Sequence, residues 1–348
     1  MGIMAGEVVV RLLFPRGRAS YIPDPRAYYT LKPGFEGSLI SAGKVSHIYV
    51  NALGLRGPAI SRDSGKPILL CIGDSFVFGA GVDEDETFSA DLNKSLNGRY
   101  IVANGGVVGY NLSQYYWRLA SVGGELRPSV VILGVFANDW EDLGYSTYLA
   151  DRGGNLVIAP GSMRAADFNT GGIQESWEDI AKKRRGKALQ WAITHSRLIE
   201  IIHMRIFYFL IAGRNAENGG VSPGSWQRLG VLTRNLLQGP IKPEMARIWE
   251  NGFELIESMD AVTKGWGGRL VVMYIPFEDE ISRPELDVLH DLLIQSLEQR
   301  KIPAIDLLPL FRADKEPNKL FLPVDGHFSI AGHRAVAASI EKFLATVH

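Results

Sequence analysis

The chain has 348 residues, of which 46% are hydrophobic and 22% charged, which is the composition of a globular protein with a sizeable core. Its 37 Lys and Arg and 38 Asp and Glu residues give a formal net charge of −1, so no nucleic-acid partner is expected. The single cysteine, Cys71, excludes an internal disulfide framework. Arg11 interrupts the apolar stretch Val8–Phe14 and no run of about 18 apolar residues occurs, so the sequence predicts neither a signal peptide nor a spanning helix, and a cytoplasmic location is expected.

In chain order, residues 1–65 are rich in Gly, Pro, Arg and Tyr and are interpreted as an N-terminal arm with short strands packed on the body. From Pro67 the sequence alternates between short apolar runs, which predict buried strands, and amphipathic stretches, which predict helices. The predicted strands are 68–72, 100–103, 129–135, 269–275 and 302–307, and the predicted helices are 86–96, 112–121, 284–300 and 330–347. This alternation predicts a doubly wound, three-layer α/β domain with a five-stranded parallel sheet, formed by residues 66–140 and 269–348.

Residues 141–268 lie between the third and fourth predicted strands, a separation far longer than one crossover needs. We interpret this segment as a helical insertion that caps the sheet or roofs the active site. It contains an apolar stretch, 187–212, predicted to be a long core helix, although Glu200 and Arg205 leave a helix at a membrane surface as the alternative. The basic run 182–187 is interpreted as a solvated face, with a membrane-surface or polyanion contact as its alternative.

Ligands of an open parallel sheet bind beyond the carboxyl ends of its strands, so the loops after the apolar runs are the candidate sites. Gly73–Ser75 follows the first strand, and a serine on such a tight turn can present its hydroxyl and its N–H to the same point. The alternative is that Asp74 and Ser75 are only turn and cap residues. After the second strand, the glycines of 104–110 can offer a backbone N–H to an oxyanion, or form an ordinary turn.

The remaining two loops add an amide and an imidazole. Asn138, after the third strand, can donate to an oxyanion, or cap a helix. Before the last helix, Asp325 can hold one nitrogen of His327 and leave the other for a nucleophile; the alternative is a capped helix start with a chance histidine. His333 falls inside the helix and is expected to be structural. Because no HExxH motif and no Cys/His cluster occurs, no metal and no cofactor is expected.

Together these four segments resemble the motifs of the SGNH/GDSL hydrolase superfamily. Gly73–Ser75 matches the first motif, and Asn104–Gly106 matches the second, with Gly106 at its invariant glycine. Residues 136–139 resemble the third motif, GxND, with Phe136 in place of the glycine, and Asp325–His327 matches the last with one residue between Asp and His. The resemblance covers about 51–144 and 269–347, including the lead-in Asn51–Gly57 that is common in bacterial members.

This resemblance implies a serine hydrolase. It makes Ser75 the nucleophile, His327 the base and Asp325 the residue that orients it, with the N–H groups of Ser75 and Gly106 and the Asn138 side chain as the oxyanion hole. The implied substrate is a carboxylic ester, foremost an O-acyl or O-acetyl group on a carbohydrate or small molecule, cleaved through an acyl-serine. The alternatives are an O-acyltransferase with the same triad, an esterase or thioesterase acting on lipids, and a non-catalytic binding module.

Overall fold

In the computed structural model, the described residues are 2–13, 20–41, 44–61, 65–96, 98–140, 143, 146–150, 156–163, 192, 196, 198–199, 202, 241, 243–323 and 326–346. The basic run 182–187 and nearly all of the predicted helix 187–212 lie outside them. The strands are β1 (Tyr21–Asp24), β2 (Tyr28–Leu31), β3 (Glu36–Ser41), β4 (Lys44–Tyr49), β5 (Ile68–Ile72), β6 (Ile101–Asn104), β7 (Val130–Val135), β8 (Ser146–Ala150), β9 (Leu156–Met163), β10 (Arg269–Tyr274) and β11 (Ala304–Asp306). The helices are α1 (Gly2–Leu13), α2 (Ser75–Phe78), α3 (Phe88–Ser95), α4 (Leu112–Arg118), α5 (Gly124–Leu126), α6 (Pro243–Gly265), α7 (Glu278–Ser282), α8 (Val288–Gln299), α9 (Leu308–Arg312) and α10 (Ile330–Thr346).

Five strands form one parallel sheet, in the order β11–β10–β7–β5–β6. They are the five strands that the apolar runs predict, so the predicted doubly wound α/β fold is confirmed. The chain moves outward from β5 to β6 and then returns to β7 on the other side of β5. Because the winding direction reverses between β5 and β7, the carboxyl ends of these two strands flank the crevice in which such folds bind ligands.

The sheet is buried on both faces, which explains why its strands read as unbroken apolar runs. Alternate residues of β5 enter different cores: Leu70 belongs to the core that includes residues of α4, α6 and α8, whereas Leu69 belongs to the core that includes residues of α3, α9 and α10. Both leucines are fully buried. Burying each such side chain stabilises the fold by about 1.5–3 kcal/mol relative to leaving it exposed. Contacts with the strands therefore hold the two helical layers on the sheet.

The segments outside the sheet contain the short strands expected in the arm, and also α1 and a hairpin within 141–268 that were not predicted. In the N-terminal arm, β1–β2 and β3–β4 form antiparallel hairpins, and α1 precedes them. Within 141–268, β8 and β9 pair as a hairpin, whereas the 23-residue helix α6 packs on β10 and α4. The structure thus places α6 in a layer of the central domain. None of the helices in the described part of the chain combines the length and apolar character that crossing a bilayer requires.

Candidate active site

Ser75 stands at the start of α2, immediately beyond the carboxyl end of β5. The turn between them needs Gly73, since a Cβ there would lie 2.3 Å from Cγ2 of Val77. Asp74 caps the helix by accepting a hydrogen bond from the N–H of Phe76 at 2.8 Å. Ser75 is 9% exposed, so it is nearly buried.

His327 comes from the loop that precedes α10. The loop is closed by a hydrogen bond from the N–H of Leu322 to the His327 carbonyl, 2.7 Å, and by a β-bridge between Phe321 and Phe328. This loop sets Nε2 of His327 2.7 Å from Oγ of Ser75. At that distance the hydroxyl can donate its proton to the imidazole, although 252 positions separate the two residues in the chain.

An aromatic cluster surrounds the hydroxyl–imidazole pair. The Phe76 ring lies 4.9 Å from the His327 ring, 4.7 Å from Phe136 and 4.8 Å from Phe328, measured between centroids. Phe136 also contacts Phe277 at 4.7 Å. The residue that replaces the glycine of the third motif is therefore part of an apolar wall. The wall shields one side of the imidazole from water and fixes its ring plane.

Asn138 lies on a short turn, Ala137–Trp140, directly after β7. Its side chain is exposed, but its neighbour Asp139 is buried and holds the turn in place. One Asp139 oxygen accepts the N–H of Phe136 at 2.7 Å, and the other accepts the hydroxyl of Tyr115 at 2.8 Å. The arrangement presents the Asn138 amide at the strand ends, where it can donate to a bound ligand. The sequence analysis assigned no role to Tyr115, because its spacing on α4 resembles that of any core aromatic.

The loop after β6 contains Gly106, whose role as an oxyanion donor stays a prediction. The N–H of Gly106 donates to Oδ1 of Asn104 at 3.0 Å, so this donor is already engaged within its own motif. Gly109 follows in the same loop with a φ of 76°, a left-handed conformation that favours glycine. Among the described residues, no acceptor lies within hydrogen-bonding distance of the N–H groups of Ser75 and Gly109 or of the Asn138 amide.

Two buried carboxyl groups lie beneath the site. Burial raises the pKa of Asp74 to about 6, opposed by the Phe76 hydrogen bond and by the His327 imidazole. Burial, and after it the charge of Asp74, raises the pKa of Asp139 well above its ordinary value. The negative charge of one carboxylate disfavours ionisation of the other. At mildly acidic pH the two groups therefore carry less negative charge on average than two exposed aspartates would.

This electrostatic arrangement predicts a specific pH dependence of stability. The folded pKa of Asp74 lies above its unfolded value, so the protonated carboxyl stabilises the fold below about pH 4, and that contribution disappears as the pH rises through about 6. Asp74→Asn keeps an acceptor for the Phe76 N–H but cannot ionise. We expect the free energy of unfolding of the wild type, relative to that of Asp74→Asn, to fall by about 2–3 kcal/mol between pH 4 and 7. Urea titrations at several pH values measure this difference, and parallel curves for the two proteins would contradict it.

Two residues singled out in the sequence remain: His333, which the structure describes, and Asp325, which it does not. His333 is buried in α10, where its Nδ1 accepts the N–H of Phe88 at 3.3 Å, and burial lowers its pKa to about 3. It is a neutral packing residue, as expected from the sequence. Asp325 lies outside the described residues, so its orienting role stays a prediction.

Comparisons with known proteins give structural matches only: no protein family and no curated protein matches the sequence. The crystal structure of TesA matches with 12% identity and a TM-score of 0.41, covering 81% of this chain and 99% of that one. The chain resembles solved G-D-S-L structures. A member of the lipolytic protein G-D-S-L family from Veillonella parvula DSM 2008 matches with 12% identity and a TM-score of 0.39, covering 80% of this chain and 99% of that one. The acetyl xylan esterase AlAXEase matches with 13% identity and a TM-score of 0.40, over the same shares of the two chains.

Proposed function

We propose that this protein is a serine hydrolase of the SGNH/GDSL kind that cleaves a carboxylic ester. Ser75 attacks the ester carbonyl carbon while His327 takes the hydroxyl proton, and the carbonyl oxygen becomes an oxyanion. The alcohol leaves with the proton returned by His327, which leaves an acyl-serine. Water, deprotonated by the same imidazole, then releases the acid and regenerates the serine.

The observation that carries this proposal is the 2.7 Å contact between Oγ of Ser75 and Nε2 of His327. It joins a nucleophile and a base from two loops at the same sheet edge, beside the reversal of winding where ligands bind. Asp325 is proposed to orient the imidazole through its other nitrogen.

The oxyanion is proposed to rest on the Ser75 N–H, the Asn138 amide and one backbone N–H of the loop after β6. Gly106 is the proposed glycine donor: it packs directly against the backbone of the Ser75 helix, and its N–H bonds the Asn104 side chain until a ligand is bound. Removing one such donor typically costs about 10²–10³ in turnover.

The substrate class that we propose is a small O-acyl ester, such as an O-acetyl group on a carbohydrate. The AlAXEase match is named for acetyl xylan, and the one-residue spacing between Asp325 and His327 resembles members that act on bacterial glycans. A series of aryl esters of increasing chain length tests this point. Highest kcat/KM for acetyl supports it, whereas highest kcat/KM for octanoyl or longer chains indicates a lipid esterase.

The reaction class is tested by covalent labelling with a fluorophosphonate, followed by peptide mass spectrometry. We expect a single modified residue, Ser75, because only a hydroxyl activated by an adjacent base reacts quickly. Ser75→Ala should lose the label. Ser258→Ala should keep it, since that hydroxyl only bonds the Glu254 carbonyl of its own helix. A wild type that is not labelled at Ser75, or a Ser75→Ala variant with intact esterase turnover, would refute the proposed mechanism.

A further inference from the structure

Arg56 is a fully buried cation in the segment that joins the N-terminal arm to the sheet. Its side chain has no exposed surface, and its backbone N–H donates to the Asn104 carbonyl at 3.0 Å. This bond and the bridge it forms attach the arm to the edge strand β6. Burying a charge is costly unless hydrogen-bond partners compensate it, so the partners of this guanidinium indicate its role.

Those partners lie at the end of the Ser75 helix and in the segment that follows it. Nη1 donates to the carbonyls of Phe78 at 2.8 Å and Gly79 at 2.7 Å, and Nη2 donates to Val82 at 2.8 Å. Nε donates to Oε2 of Glu84, also at 2.8 Å. The guanidinium carbon lies 4.7 Å from the centre of the Phe78 ring. One side chain therefore contacts four acceptors between the last residue of the helix, Phe78, and Glu84.

The Ser75 helix needs such an external contact because it has only four residues. A helix of this length makes few internal hydrogen bonds and leaves its last carbonyl groups without helical partners. Gly79 ends it at a φ of 90°, where a Cβ would lie 2.8 Å from Thr87 and 3.1 Å from Nη1 of Arg56. The turn is thus packed directly around the guanidinium.

We propose that Arg56 is a positioning residue for Ser75: by bonding the carbonyl groups at the end of the serine helix, it fixes the Ser75 hydroxyl and N–H relative to His327 and the ester carbonyl. The inference rests on the proposed function, because it assigns Arg56 a role in that reaction. Arg56 touches neither reacting atom and acts only through α2. A lysine cannot replace it, because an ammonium is a point charge and does not reach carbonyl groups in three directions from one plane.

The experiment compares Arg56→Lys and Arg56→Ala with the wild type, using an aryl ester well below each variant's melting temperature. We expect kcat and the rate of fluorophosphonate labelling to fall together by about 10–100-fold, because a misplaced reacting group costs this much, with KM within about twofold. Added ethylguanidinium should raise the kcat of Arg56→Ala at least about fivefold, whereas added ethylammonium should not. A purely structural role predicts no such rescue.

Arg312→Ala is the matched control. Arg312 also bonds a carbonyl, that of Glu280, and a carboxylate, that of Asp287, but it has no bond to the Ser75 helix. We expect it to lower the melting temperature and leave kcat within about twofold. The inference is overturned if folded Arg56→Lys or Arg56→Ala keeps wild-type kcat, or if Arg312→Ala loses as much kcat for the same fall in melting temperature.

If neither Arg56 variant folds, a second measurement tests the inference. Glu84→Gln leaves the three carbonyl bonds in place, so we expect its kcat within about threefold of wild type. A loss of tenfold or more would overturn the inference, because the ion pair and not the carbonyl contacts would then govern turnover. The proposed function fails separately, through an unlabelled Ser75 in the wild type, whatever the Arg56 variants do.

Discussion

Replacing His327 with alanine is expected to lower kcat for an aryl ester by about 10⁴–10⁶-fold and to slow phosphonylation of Ser75 in parallel. The reason is the 2.7 Å contact between Nε2 and Oγ of Ser75, through which the imidazole takes the hydroxyl proton. Without that acceptor the serine is a neutral alcohol, which is a weak nucleophile at pH 7. The melting temperature should change little, since the ring lies at a partly exposed position.

The double variant Ser75→Ala/His327→Ala tests whether the two residues act as one unit. Residues that act as one unit are not additive, so the double variant should be no slower than the slower single variant. His290→Ala is the control, because its imidazole bonds Asp291 and Asp306 and has no contact with Ser75. If His327→Ala keeps more than about a tenth of wild-type kcat, another group is the base and the proposed mechanism is wrong.

The second large effect is expected from Gly106→Ala, which should destabilise the protein by about 3 kcal/mol. A Cβ at this position would lie 2.2 Å from the Phe78 nitrogen and 2.7 Å from the Val77 carbonyl carbon. Both are backbone atoms of the Ser75 helix, so no side-chain rotation relieves the overlap. The helix or the loop after β6 must move, and we expect kcat to fall at least tenfold even in the folded fraction.

Urea unfolding and fluorophosphonate labelling of Gly106→Ala measure the two parts of this effect. Gly265→Ala is the matched control, because no atom lies within 4 Å of the Cβ it would add at the end of α6. It should be neutral or slightly stabilising, since alanine favours a helix more than glycine does. Equal unfolding midpoints for Gly106→Ala and the wild type would show that the close packing described here is absent.

The sheet could be predicted from the sequence because its physical cause is local. Each strand buried on both faces must be apolar at every position, so runs such as Ile68–Ile72 indicate it directly. The meeting of Ser75 with His327 could also be anticipated, since parallel strands bring the loops after them to one edge. Both predictions depend on patterns that are contained within a few adjacent residues.

What the sequence did not predict depends on individual side-chain contacts. The engagement of the Gly106 N–H by Asn104 is set by a side-chain rotamer, and the hydrogen bond from Tyr115 to Asp139 joins α4 to the turn after β7. Arg56 stands in a motif that was identified, yet its four acceptors lie 22 to 28 residues further along the chain. Periodicity carries no information about such pairings, and the β8–β9 hairpin was missed because the whole segment 141–268 was interpreted as a helical insertion.

The attachment of the arm to β6 has a consequence for how short the chain can be made and still fold. A shortened polypeptide starting at Pro67 would contain all four sequence motifs and would look complete if judged by those motifs alone. It would nevertheless leave the outer edge of β6 open to pairing with other chains, and the acceptors on residues 78–84 would lose their cation. Tyr29 and Leu31, which have no exposed surface, would also be removed from the core that they share with α4. The folding unit therefore extends upstream of Gly73, where the first motif begins, at least to Tyr28 at the start of β2.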